Sequence, residues 1–118
     1  MTLRNLPYGQ PVNLADIISC RPGQVSSMGL SEAGSTCDMT LLAFADGESV
    51  SEEVYLSDVM YVALEGQPAV VLPDMRVALA AGQVLAVPAG MLHAVEGDGP
   101  FKILQIAIAG LVELELGG

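Results

Sequence analysis

A chain of 118 residues with 52% hydrophobic content has the length of one domain and the apolar material for one core. Only 15% of its residues are charged, so much of the surface is expected to be apolar or to sit against another subunit, and a homodimer is the expected assembly. Fourteen acidic residues against four basic ones give a net charge of −10, and the absence of any Lys or Arg run excludes a nucleic-acid backbone or an anionic membrane as partner.

Pro7, Gly9 and Pro11 make residues 1–12 an extended arm with at most an edge strand. Asn13 suits the N-cap of one short helical turn through Asp16, Ile17 and Ile18, which Arg21-Pro22-Gly23 stops. No stretch has the apolar core of a signal peptide or the length of a membrane span, so a soluble cytoplasmic protein is expected. Cys20 and Cys37 have no C-x-x-C spacing and no histidine nearby. They support neither a zinc site nor a redox motif and read as reduced, partly buried thiols, with a disulfide left open.

Strand-like runs then follow at residues 25–30, 38–45, 59–64, 69–72, 75–79, 84–87 and 101–109. Turn signals separate them at residues 31–35, Asp46-Gly47, Glu65-Gly66, Pro73-Asp74, Gly82, 88–90 and 97–100. Short strands at this spacing without long helices indicate an all-β sandwich or barrel. The expected organisation is an arm and helical turn over 1–24, a barrel over 25–110, and a tail over 111–118 that ends in Gly-Gly and frays.

Residues 82–93 read G-Q-V-L-A-V-P-A-G-M-L-H: a turn glycine, an apolar strand, a Pro-x-Gly corner and the one histidine of the chain. This segment resembles the second motif of the cupin superfamily, G-x5-P-x-G-x2-H, at every fixed position. Upstream, residues 47–66 resemble the first cupin motif in altered form. The strand and closing glycine at 59–66 are retained, Glu53 and Tyr55 stand where that motif has two histidines, and Asp58 lies one residue from the usual glutamate spacing. The resemblance spans about residues 38–109, and the segment F-A-D-G-E-S-V-S-E at 44–52 is similar in part to small single-domain bacterial cupins. It implies a double-stranded β-helix, or jelly-roll barrel, with a short N-terminal arm.

A cupin metal centre combines three histidines and one carboxylate around divalent iron, manganese, nickel or zinc, because imidazoles and a carboxylate hold a borderline metal while leaving positions open. A chain with one histidine has at most His93, Glu53 and Asp58 for a metal, helped by Tyr55, and that set holds late first-row ions less well. The only cofactor that follows is a weakly bound divalent metal.

Each candidate residue carries two readings. His93 is either a pocket hydrogen-bonder or general base, or a neutral imidazole satisfied by a buried carbonyl. Glu53 is either a cavity-lining acid or, beside Glu52, a solvated strand end. Tyr55 either presents its hydroxyl to a ligand or packs its ring and wets its oxygen. Asp58 either joins the site or caps the neighbouring turn. Met28, Met39, Met60 and Met91 read first as core fillers. On the last strand, Leu104, Ile106 and Ile108 face the cavity with Gln105 outward, or the two sets exchange if the register shifts by one.

The leading functional reading is small-molecule binding in the barrel without a full metal site and without turnover. The alternatives are a metal-dependent or acid–base enzyme of isomerase or dioxygenase type, using His93 with Glu53, Tyr55 or Asp58, and a structural dimerisation module. No G-x-S-x-G elbow, dinucleotide fingerprint or P-loop occurs in the sequence.

Overall fold

Apolar runs punctuated by glycine and proline build one helical turn and seven strands in the computed structural model, which describes residues 2–32 and 35–108. The 111–118 tail, Ala109 at the end of the last expected strand, and the centre of the 31–35 turn lie outside the described residues. The elements are α1 (Leu14–Ile17), β1 (Val25–Gly29), β2 (Cys37–Phe44), β3 (Val50–Glu53), β4 (Asp58–Val71), β5 (Arg76–Ala78), β6 (Val84–Val87) and β7 (His93–Ile108). All strand pairings are antiparallel. No helix among the described residues is long and apolar enough to cross a membrane.

The two long strands organise everything else. The second half of β7 pairs with β2 on one side and with the first half of β4 on the other, and β1 and β6 extend that layer. The first half of β7 pairs with β3 and with the second half of β4, which β5 extends. Both long strands therefore pass from one layer into the other, and the pair closes a jelly-roll barrel of the double-stranded β-helix type.

That crossing explains where the sequence reading and the structure differ. Glu65-Gly66 and residues 97–100, expected as turns between separate strands, are bends within β4 and β7, with the pairing register shifting between Ala63 and Gln67. Gly66 sits at φ 81°, and a Cβ there would run into the Pro100 carbonyl and Phe101. A Cβ on Gly97 would lie 2.6 Å from the Phe101 ring and 2.7 Å from the Gln67 carbonyl, so the bend needs both glycines. Strand β3 has no clear apolar alternation in sequence; its place comes from pairing Val50 with Val95 and Glu53 with His93.

Two apolar clusters result among the described residues. Inside the barrel, Phe44, Val59, Ala63, Val70, Val87, Val95, Phe101 and Ile103 pack together, with the Phe44 and Phe101 rings stacked at 4.3 Å between centroids. On the outer face of β2, Leu41 and Ala43 are covered by Ile18, Leu14, Leu6 and Met28. The arm is thus docked. Leu3 bridges to Ser31, the Asn5 side chain donates to the Gly29 carbonyl, and Lys102 Nζ donates to the carbonyl of Ala15 in α1 at 2.6 Å. Asn13 precedes α1 as expected, although its side chain makes no capping bond to the helix backbone.

Candidate functional site

Phe101 and Ile103 point into the barrel, so the two-residue period of a strand directs Gln105 and Ala107 to the same face. Gln105 is directly opposite Tyr61 of β4 in the ladder. Leu104 belongs to the outer cluster, so the exchanged register is the one adopted and Gln105 is the polar residue that the interior receives. Its inward parity with Phe101 and Ile103 is the signal in the sequence that could have found it.

His93 opens β7 immediately after the Pro88–Gly90 corner, and it is only 3% exposed. Its Nδ1 lies 2.9 Å from the Met91 carbonyl and its Nε2 lies 2.7 Å from the Tyr61 hydroxyl. A carbonyl can only accept, so Nδ1 carries the proton; in the neutral ring Nε2 then accepts from the Tyr61 O–H. The Tyr61 ring also meets His93 edge-on, with centroids 5.5 Å apart. Tyr61 is 1% exposed and was not among the residues singled out from sequence. In the sequence it reads as part of the apolar 59–64 strand, and only the pairing of β4 with β7 reveals its polar partner.

Tyr55 stands between this buried pair and solvent. Its ring is 5.7 Å from that of His93, its hydroxyl donates to Glu53 at 3.3 Å, and Glu53 itself is exposed. Glu53 and His93 are cross-strand partners, so the structure brings Glu53, Tyr55, Tyr61, Gln105 and His93 into one polar column running from the surface into the core. Burial is the main reason the Tyr61 hydroxyl is held far above the usual phenol range, with Tyr55 and Glu53 adding to it. Tyr55 is also shifted upward, first by burial and then by the Glu53 charge. Both hydroxyls remain protonated donors near neutral pH.

Asp58 is not gathered with them. Its Oδ1 accepts the Ala89 N–H at 2.8 Å while the Tyr55 carbonyl accepts the Gly90 N–H at 2.9 Å, so the two residues tie the Pro-x-Gly corner to the start of β4. The donors present therefore do not fit the three-histidine, one-carboxylate metal set. The single imidazole has both nitrogens engaged and Asp58 is turned to backbone. No group of three His, Cys, Asp or Glu side chains among the described residues is arranged to hold a metal ion.

Fold and site together define a small jelly-roll barrel with a tyrosine–histidine polar column in place of a metal centre. No protein-family model matches the sequence, and no curated relative does. Among solved structures, a cupin superfamily protein from Desulfitobacterium hafniense DCB-2 superposes with a TM-score of 0.88 at 42% identity, over 93% of this chain and 100% of that one. A conserved protein of unknown function from Streptococcus pyogenes has a TM-score of 0.86 at 19% identity, over 93% of this chain and 96% of that one, and shares the fold. A cupin 2 conserved barrel domain protein from Leptotrichia buccalis has a TM-score of 0.77 at 26% identity, covering 82% of this chain and 47% of its own. The chain belongs to the cupin superfamily.

Proposed function

We propose that the protein binds a small, weakly polar molecule at the polar end of its barrel, without a metal and without turnover. The observation that carries this reading is the Tyr61–His93 hydrogen bond. It occupies the nitrogen that would otherwise serve as base or ligand, and it leaves the half-buried Tyr55 and exposed Glu53 as the groups a visitor meets. Glu53 accepts hydrogen bonds, and the Tyr55 hydroxyl can exchange its bond to Glu53 for one to a ligand. Val54, Leu56 and Leu92, which neighbour Tyr55 and His93 in sequence, are exposed and offer apolar contact for the rest of such a molecule. The raised hydroxyl pKa values of Tyr55 and Tyr61 favour donation over base catalysis.

A ligand-observed NMR screen of neutral and weakly polar fragments tests this directly. Binders are expected whose signals are lost in Tyr55→Phe and weakened in Glu53→Gln. Binders indifferent to both substitutions, or stoichiometric iron, manganese or nickel in protein purified without added metal, would overturn the reading.

A further inference from the structure

An opening lies on the outside of the barrel, away from the polar column. It is a cleft of about 380 Å³ between the end of α1 and strand β1, and its walls include Ile17, Ser19, Arg21, Gln24, Ser26 and Met28. Ile17 and Met28 belong to the outer apolar cluster and give the cleft apolar lining, and Ser19, Arg21, Gln24 and Ser26 add hydrogen-bond donors, with Ser26 on the same face of β1 as Met28. Two polar groups of this lining have no partner among the described residues. The Ser26 hydroxyl is fully buried yet makes no hydrogen bond among the described residues. A buried polar group in that state is costly and rare. Arg21, meanwhile, enters no ion pair among the described residues, although carboxylates outnumber cations fourteen to four in the chain. Arg76 and Lys102 both have carboxylate partners, whereas Arg4, like Arg21, has none among the described residues, and of these two only Arg21 lines the cleft. Asp46 shares a neighbouring cleft with Arg21, but no ion pair closes between them.

We propose that this cleft is a binding site for a small aliphatic carboxylate. The carboxylate is held by the Arg21 guanidinium and, after rotation of the Ser26 side chain toward the cleft, by the Ser26 hydroxyl, while the aliphatic tail lies along Ile17 and Met28. An acidic surface repels anions in general, so recognition rests on the local charge-assisted pair and on apolar contact, and both parts of the ligand are needed. The site is independent of the barrel reading, since none of its walls belongs to the Tyr61–His93 column.

Hexanoate is the probe, titrated at low ionic strength into the full chain up to about 10 mM, the range of a weak small-ligand site, with backbone amide shifts as readout. Saturable shifts confined to residues 17–28 are expected. Arg21→Gln weakens binding by about tenfold, the size of one lost charge-assisted contact. Ser26→Ala weakens it less while leaving the thermal midpoint unchanged or higher, because it also removes an unsatisfied hydroxyl. Hexan-1-ol binds more weakly than hexanoate, and Arg76→Gln, which removes an equal charge elsewhere, keeps wild-type affinity. Unsaturable shifts, equal binding by Arg21→Gln and wild type, parity between the alcohol and the acid, or shifts centred on residues 53–61 and 93 would each overturn the proposal.

Discussion

Where β4 and β7 bend, Phe44 stacks on Phe101 among Val70, Val95 and Ile103, and the packing is wholly apolar; farther along the same strands, the interior holds Tyr61, His93 and Gln105, with Tyr55 and Glu53 leading out to solvent. One pair of strands builds both ends, so backbone geometry does not account for the contrast. The apolar end is stabilised by contact area and needs glycines at the bend because Phe101 fills the space a side chain would take. The polar end is acceptable inside a barrel because its buried donors and acceptors satisfy one another: Met91 carbonyl to imidazole, imidazole to phenol. Close apolar packing is concentrated at the first end and buried hydrogen bonding at the second.

That contrast can be broken from either side. Phe101→Ala is expected to cost about 3–5 kcal/mol in urea denaturation, as a large aromatic removed from a close-packed core does, with the whole transition shifting rather than only the polar end. Tyr61→Phe keeps the ring but leaves His93 Nε2 without its donor, and a loss of about 1–3 kcal/mol is expected; an unchanged midpoint would show that the pair carries no stabilisation. Asp58→Ala, which frees the exposed Ala89 N–H, is expected to cost only about 0.5–1 kcal/mol, read as a small shift in thermal midpoint, and to leave metal content unaltered.

The same pair shapes the response to alkali. With the Tyr61 and Tyr55 hydroxyls held above their usual 10.0, the unfolded chain gives up its phenolic protons first as pH climbs. Their stabilisation is therefore complete below about pH 10 and is lost as pH rises towards the folded-state values. Denaturation midpoints across that range should decline in the wild type and decline less steeply in Tyr61→Phe. Equal slopes in the two proteins would remove Tyr61 from the account.

Much of this was legible in the residues. Unlike the docking of the extended arm on the outer face of β2, which depends on contacts distant in sequence, the Pro88–Gly90 corner and the short apolar runs each depend on local backbone preference or on an apolar face, and those are visible without a partner. The same holds for the shortage of imidazoles, which is a count. The polar column was legible only in part. His93, Glu53 and Tyr55 stood out as polar residues at motif positions, but Tyr61 was hidden among strand residues and Gln105 was on an undecided face. Asp58 read equally well as a site acid or a capping residue, and its bond to Ala89 N shows it capping the corner.

By itself, then, the sequence determined that this protein is a small all-β barrel of cupin type with a single imidazole at the end of a Pro-x-Gly corner. Local conformational preferences and composition were sufficient for that. Which face of β7 looks inward, that β4 and β7 bend where turns were expected, and that the His93 imidazole is held between Met91 and Tyr61 were decided only by tertiary structure. Those features follow from the register between strands distant in sequence, where a shift of one residue sends every side chain to the opposite face.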